Sequence, residues 1–252
     1  MENADLGVVI PSYLEGANIT KLITAIRQFC PGSKIVVVDD SPNTETVDAV
    51  NGMKLSQVHT IHRKEKGGRG SAVIEGIQWI LNQGCNWVIE MDADFSHPPS
   101  QLPGLLNEAK TKRLDLLIAS RYLPTSQITN WPLTRRIFSK CSNTLARTLL
   151  QVPVHDYTNG YRVYSKGAAN LVLSSCGKLG KGFIALSEIL VNVYYRGMAV
   201  SEVPTQFTNR IRGQSSVNTS EITSALFGLF RILKLKLELV SSEKKKCQTG
   251  NR

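Results

Sequence analysis

A chain of 252 residues, 42% hydrophobic and 20% charged, is long enough for one large α/β domain with a full core, which excludes wholesale disorder and leaves little for a second domain. Its five cysteines, Cys30, Cys85, Cys141, Cys176 and Cys247, are widely spaced and form no C-x-x-C pair, which argues against a disulfide framework or zinc site and for a reducing compartment. A formal net charge of +10 implies an anionic partner: nucleic acid, anionic lipid or a phosphorylated substrate.

No basic segment followed by an apolar one precedes Leu6, so no signal peptide is expected, and no apolar run approaches the roughly 20 residues that span a bilayer. Leu6-Gly7-Val8-Val9-Ile10 reads as a buried strand ending at Pro11-Ser12-Tyr13-Leu14-Glu15, and a helical pattern follows from Asn18, a candidate N-cap, to about Cys30. Ile35-Val36-Val37-Val38 makes a second strand that stops at Asp39-Asp40-Ser41-Pro42, before a helix over about residues 44–51. A short third strand at residues 58–61 leads through Arg63, Lys64 and Lys66 into Gly67-Gly68-Arg69-Gly70 and an amphipathic helix from Ser71. That glycine loop either cradles a phosphate on its amides or packs loop against helix; it lacks the spacing of a dinucleotide fingerprint and of a P-loop.

The fourth strand, Val88-Ile89-Glu90-Met91, breaks into Asp92-Ala93-Asp94-Phe95-Ser96-His97-Pro98, which puts two carboxylates at a strand's carboxyl end. In an open α/β sheet that edge binds ligands, and an Asp-x-Asp there suits a hard divalent cation holding a diphosphate; the plainer alternative is a polar turn in which Asp94 caps the helix starting near Pro98. A fifth strand over residues 114–119 completes an alternation of strands and helices that argues for a parallel sheet covered on both faces.

Beyond it come Ser120-Arg121-Tyr122, a polar loop, Trp131-Pro132 and a basic helix over residues 133–150 on which Arg135, Ser139 and Asn143 share one face, suited to an anionic ligand or to solvent. No acidic residue lies between Tyr122 and His155. Asp156 to Arg162 is a polar turn leading into a strand, and Glu188 falls inside an apolar helical run, where a carboxylate is expected to be functional or paired with a buried cation. Residues 200–207 read as an edge strand interrupted by Pro204, followed by a loop at Arg210-Ile211-Arg212-Gly213. Residues 220–240 form a last helix with a wide apolar face edged by Arg231, Lys234 and Lys236, which suits a membrane interface, a partner helix or packing on the domain; residues 241–252 are expected to be a disordered basic tail. The three units are thus 1–219, 220–240 and 241–252.

Read together, several motifs resemble the inverting family-2 glycosyltransferases with a GT-A fold, specifically the polyprenyl (dolichyl) phosphate mannosyltransferases. They are Pro11-Ser12-Tyr13-x-Glu15, Asp39-Asp40-Ser41-Pro42, Asp92-Ala93-Asp94-x-Ser96-His97-Pro98, Ser120-Arg121-Tyr122, Asn130-Trp131-Pro132 with Arg135 and Ser139, Asp156-x-Thr158-x-Gly160-Tyr161-Arg162, and Val203-Pro204 followed by Arg210 and Gly213-x-Ser215. The resemblance runs from Val8 to about Ile222. It implies a mostly parallel central sheet with helices on both faces and a C-terminal amphipathic helix. It implies nucleotide binding by Pro11, Tyr13, Glu15, Val38 and Asp40; diphosphate binding around Asp92, Ala93, Asp94 and Ser96, with Asp94 as ligand to Mg²⁺ or Mn²⁺; and closure over the donor by Arg210 and its loop. Arg121, Arg135 and Ser139 match positions that receive the acceptor's phosphate. Two departures from the pattern are Ser216, where relatives commonly carry Lys, and Ala185-Leu186, where they carry Phe-Gln.

The chemistry implied is mannosyl transfer from GDP-mannose to a polyprenyl phosphate, with Asp94, Arg121 and Arg135 as the catalytic groups. The enzyme is expected to work at the cytoplasmic face of a membrane, held peripherally through residues 220–240 by the lipid surface or a small membrane subunit. The competing readings are a related transferase using UDP-glucose, another sugar nucleotide or a non-lipid acceptor, and a non-catalytic nucleotide-binding module. Nucleic acid is disfavoured because aromatics are not interleaved with the basic stretches as stacking platforms.

Overall fold

The computed structural model describes residues 4–179, 184–209 and 219–249, with side chains of 219–226 and 243–249 excepted. Nine strands are present among these residues: β1 (Leu6–Ser12), β2 (Lys34–Asp39), β3 (Val58–His62), β4 (Trp87–Glu90), β5 (Leu116–Ser120), β6 (Gln127–Thr129), β7 (Arg162–Ser165), β8 (Val200–Pro204) and β9 (Gln206–Thr208). The helices are α1 (Gly16–Phe29), α2 (Glu45–Gly52), α3 (Arg69–Asn82), α4 (Leu102–Thr111), α5 (Leu133–Leu150), α6 (Lys166–Ser175), α7 (Ile184–Tyr194) and α8 (Thr219–Thr249).

Seven strands form one sheet in the order β3-β2-β1-β4-β7-β5-β8, parallel throughout except for β7, which runs antiparallel to both β4 and β5. The runs Val8-Val9-Ile10 and Val36-Val37-Val38 are fully buried, as expected of strands covered on both faces. One core layer joins β1, β2 and β4 to α1 and α4 through Ile10, Ile23, Ile26, Ile35 and Leu106. On the opposite face, α3, α6 and α7 pack through Val73, Ile77, Val172 and Leu190. Helix α3 lies very close to β1 because two glycines allow it: a Cβ on Gly76 would come within 2.4 Å of a Val9 methyl, and one on Gly7 within 2.1 Å of Ile80. Pro204 divides the expected edge strand in two, so that β8 closes the main sheet and β9 pairs with β6 in a two-stranded ribbon.

Four expectations need correction. Asn18 is not an N-cap; it lies inside α1, and its amide donates to Glu15 Oε2 at 2.7 Å. Asp94 caps no helix, because its carboxylate accepts the Ser96 amide at 3.0 Å within its own turn. Glu188 is buried but forms no ion pair among the described residues: it accepts the backbone N–H groups of Gly177 and Lys178 at 3.2 and 3.3 Å, and burial pushes its carboxyl up. Helix α8 runs on to Thr249, through most of the stretch expected to be a disordered tail.

The apolar face of α8 is only partly covered. Ile232 is buried against the core with Leu229, Leu233, Leu235 and Leu239 packed beside it, whereas Phe227, Phe230 and Leu237 are exposed. Lys236, expected at the solvent edge, is instead 8% exposed and donates to Leu149 O at 2.9 Å and Gln151 Oε1 at 2.6 Å, satisfying the carboxyl end of α5.

Candidate active site

The residues that follow β1, β2, β4 and β5 meet at the carboxyl edge of the sheet around a cavity of about 300 Å³. Pro11, Tyr13 and Glu15 line it from the end of β1, and Asp40 from the end of β2. Asp92, Ala93, Asp94 and Ser96 line it after β4, and Arg121 and Arg135 also contribute to the lining. Two residues anticipated in the site are placed otherwise. The Val38 side chain is buried in the core under α3. Ser139 lies behind the lining, its hydroxyl accepting from Tyr122 Oη at 2.6 Å. Arg210 falls outside the described residues, with Gly213 and Ser215.

At the ends of β1 and β2, the Asp40 carboxylate is held by Arg63 through Nε and through Nη2 at 2.6 Å, and by the Gly68 amide at 2.9 Å. Asp39 is fully buried, with one oxygen accepting the Ser41 hydroxyl at 2.7 Å and the other without a hydrogen-bond partner. Lys66 Nζ sits 3.7 Å above the ring of Tyr13, which is half exposed at the cavity mouth.

The two acids after β4 differ in what they hold. Arg69, in the first turn of α3, donates from Nε at 3.0 Å and Nη2 at 2.8 Å to Asp92 Oδ1, and from Nη1 to Glu90. Glu90 is fully buried and also accepts Tyr164 Oη at 2.7 Å. Burial alone would raise the Asp92 carboxyl, but the Arg69 guanidinium outweighs it and holds Asp92 down at about 2; the same carboxylates carry Arg69 above its ordinary value against its own burial. Gly160 makes room for this cation, since a Cβ there would lie 1.8 Å from Arg69 Nη2. Asp94, two residues on, has Oδ1 bonded to the Ser96 amide and Oδ2 without a hydrogen bond to the described residues. The turn is made by Phe95, a non-glycine residue in the left-handed region at φ 61°.

His97 fixes the base of this turn. Its Nδ1 accepts the Asp92 backbone N–H at 3.1 Å, so the hydrogen is on Nε2, which donates to Asn159 Oδ1 at 2.9 Å. Burial lowers the pKa of the ring, which is fully enclosed and stacked on Tyr161, consistent with this neutral form.

Arg121 is clamped side-on by Asp156: Nε to Oδ2 and Nη2 to Oδ1, both at 2.8 Å, while Nη2 also reaches Thr158 Oγ1 at 2.8 Å. Nη1 is the guanidinium nitrogen that makes no hydrogen bond to the described residues. Burial opposes both charges, yet each partner sustains the other, raising Arg121 and lowering Asp156. The Trp131 ring lies 5.3 Å from Arg121 and 4.9 Å from Arg135, with its indole nitrogen buried and without a hydrogen-bond partner among the described residues. Arg135 also donates to Asn209 Oδ1 at 3.2 Å. On α5 the shared face of Arg135, Ser139 and Asn143 turns inward, as Asn143 is buried and accepts the Tyr157 amide at 2.7 Å, whereas Arg136, Lys140 and Arg147 are exposed.

Lys66, Arg69, Trp131, Asn159 and Phe207 also line the cavity and were not singled out as site residues from the sequence. Arg69 left a signal there: Glu90 inside an otherwise apolar strand demands a cation, and the glycine loop carries one. Asp94, which lines the cavity and keeps Oδ2 without a hydrogen bond to the described residues, fits a divalent ion that takes one or two protein carboxylates and completes its shell with phosphate oxygens and water. No cluster of three or more His, Cys, Asp or Glu residues forms a closed metal cage among the described residues.

The chain is similar to known proteins over most of its length. The profile of Glycosyl transferase family 2 matches residues 7–172. Polyprenol monophosphomannose synthase of Mycolicibacterium smegmatis is 37% identical over 224 residues, covering 87% of this chain and 83% of that protein. Undecaprenyl-phosphate mannosyltransferase of Micrococcus luteus is 32% identical over 226 residues, covering 88% and 91%. Among solved structures, glucosyl-3-phosphoglycerate synthase from Mycobacterium tuberculosis in complex with Mn²⁺, UDP and phosphoglyceric acid superposes with a TM-score of 0.65 over 90% of this chain and 78% of that one, at 17% identity. That likeness establishes the GT-A type of fold expected above.

Proposed function

This chain belongs to glycosyl transferase family 2 and is a glycosyltransferase, and from that premise we propose that it moves mannose from GDP-mannose to the phosphate of a polyprenyl (dolichyl) lipid. The names of its two relatives support the sugar and the acceptor class. The observation that carries the reading is that one cavity is lined by both Asp94, whose Oδ2 makes no hydrogen bond to the described residues, and Arg121, whose Nη1 makes none either. The carboxylate suits a cation on a leaving diphosphate, the guanidinium an incoming anion.

A phosphate monoester is largely dianionic near neutral pH, its second pKa being about 6, so the acceptor is already a nucleophile and no general base is required. Its oxygen bonds to the anomeric carbon as the bond from that carbon to the diphosphate breaks, and the nucleoside diphosphate departs with the electron pair; attack opposite the leaving group inverts the centre. Arg121 and Arg135 align the acceptor phosphate and offset its charge, and Trp131 between them holds both guanidinium groups in position. Asp94 is the residue that would hold Mg²⁺ or Mn²⁺, which supplies charge neutralisation at the leaving diphosphate. Pro11, Tyr13, Glu15 and Asp40 take the nucleotide, and Arg210 closes over the donor.

The acceptor's apolar chain requires access to a bilayer. No helix among the described residues is long and apolar enough to cross one. Peripheral docking through residues 220–240, on the cytoplasmic face, is supported by the exposed Phe227, Phe230 and Leu237, and by Leu133, Ile137 and Leu145 exposed on α5 beside Arg136 and Lys140. A small membrane subunit is the other partner this surface suits.

The test is a panel of GDP-mannose, UDP-glucose and other sugar nucleotides, each incubated with polyprenyl phosphate and Mn²⁺ and read by the mass of the product lipid. Mannosyl phosphate lipid formed from GDP-mannose alone is the expected result; transfer only from another donor, or no lipid product with any, overturns the assignment.

A further inference from the structure

We propose that Glu202, on β8, is a positioning residue that sets the orientation of Arg121 by bracing the backbone that carries Asp156. The proposal rests on the reading that Arg121 receives the acceptor phosphate.

Glu202 stands opposite Ile118 in the parallel pairing of β8 with β5, the strand that ends immediately before Arg121. Its side chain is 6% exposed and is not part of the cavity lining. It accepts three hydrogen bonds from two successive residues: Oε1 from the Asp156 amide at 2.8 Å, and Oε2 from the His155 amide at 2.8 Å and His155 Nδ1 at 2.9 Å. No lysine or arginine pairs with it among the described residues. A buried carboxylate without a lysine or arginine partner is costly unless such donors converge on it, so the 155–156 backbone and Glu202 fix each other.

The braced residue is the one that holds Arg121. Asp156 is fully buried and accepts the Arg121 amide at 2.9 Å as well as both guanidinium hydrogen bonds. Two of the three guanidinium nitrogens are thereby occupied, and the direction of Nη1 follows from where the Asp156 carboxylate lies. A small rotation of residues 155–156 therefore turns Nη1 within a guanidinium packed between the rings of Trp131, Phe207 and Tyr122, at 5.3, 5.4 and 5.5 Å. Glu202 touches neither substrate; it acts through Asp156.

Glu202→Gln is the direct test, because it replaces one acceptor oxygen by an N–H₂ group facing an N–H donor. With a short-chain polyprenyl phosphate as acceptor, the expected result is a roughly tenfold rise in acceptor KM, with kcat and donor KM within about twofold of the parent. In an Arg121→Lys background, the same substitution should add less than about twofold, because the two residues act in series. A residue that merely stabilised the fold would lower the unfolding midpoint, leave acceptor KM unchanged and give independent effects; that pattern overturns the proposal. Should Glu202→Gln not accumulate as folded protein, His155→Ala removes one half-exposed donor and carries the same test, with a rise in acceptor KM of roughly threefold. If Arg121→Lys itself leaves acceptor KM unchanged, the acceptor-site reading fails and this inference with it. A normal Glu202→Gln alongside an impaired Arg121→Lys removes the bracing role alone.

Discussion

Arg69 holds Asp92 through two hydrogen bonds to a single oxygen, Oδ1, whereas no guanidinium is bonded to Asp94, whose Oδ1 accepts only the Ser96 amide among the described residues. The two carboxylates of the Asp-x-Asp are therefore not equivalent. Asp92 belongs to a chain of contacts running from the cavity lining through Arg69 to Glu90 and Tyr164 in the sheet.

On the proposed mechanism, Asp94→Asn should lower kcat by roughly a hundredfold even at saturating Mn²⁺, since it weakens the charge stabilisation available to the leaving group. Steady-state rates over a metal titration check this. Turnover equal to that of the parent at high metal would falsify the leaving-group role.

Arg135→Ala should raise acceptor KM by roughly tenfold or more while leaving donor KM within about twofold, because the substitution removes one cation of the pair around Trp131. The discriminating measurement is a matched set of acceptor and donor titrations. A defect confined to the donor would move Arg135 to the other half of the reaction.

Arg69→Met should destabilise the fold by about 3–5 kcal/mol, the cost of leaving a buried ion network without its cation. Glu90 is fully buried and retains only the Tyr164 hydroxyl in that variant. Urea unfolding of the two proteins at neutral pH measures the difference, and a loss below about 1 kcal/mol would mean that water replaces the guanidinium.

The Asp92 carboxyl, held at about 2 in the folded chain, also makes stability depend on pH with a definite sign. Its unfolded value is about 3.9, so the contribution is fully present above about pH 4 and declines as pH falls through the folded value near 2. The gap in unfolding midpoint between the parent and Asp92→Asn should therefore be constant from about pH 6 to pH 5 and narrow on further acidification. A gap that stays the same down to about pH 2 would show that the ion pair is not its source.

Simultaneous replacement of Phe227, Phe230 and Leu237 by Ser should reduce co-sedimentation with anionic liposomes by roughly tenfold or more and spare nucleotide binding. These exposed positions are a better probe than deletion of residues 220–252, because Ile232 and Lys236 are part of the packed domain and their loss would expose α7 and leave the end of α5 unsatisfied. Undiminished sedimentation of the triple variant would shift membrane contact away from α8.

The central strands were readable because burial on both faces leaves an unbroken apolar run, as in Val36-Val37-Val38, and α5 was readable to its ends because Pro132 and the change of pattern after Leu150 mark them. The antiparallel insertion of β7 was not, since nothing in Arg162-Val163-Tyr164-Ser165 specifies which neighbours it pairs with. The same limit hid the partners of isolated polar residues. Glu188 finds backbone amides ten and eleven residues earlier, and Lys236 finds a helix end more than eighty residues away. Arg69 and Glu90 are 21 residues apart and meet only because α3 begins beside the end of β4. In the site, the motifs located the cavity walls, but the division of labour between Asp92 and Asp94 depended on which of them Arg69 reaches.

The place of β7 between β4 and β5 bears on how the polypeptide acquires its shape. β4 and β5 succeed one another along the chain yet never pair directly, and the strand that bridges them is synthesised some forty residues after β5. Until Arg162–Ser165 emerges, both inner edges stay open and Glu90 lacks the Tyr164 hydroxyl, so the strands on either side of β7 remain separate pieces. Cooperative assembly then waits on a long-range docking event, the kind of step that makes folding slow and exposes unpaired strands to aggregation during translation.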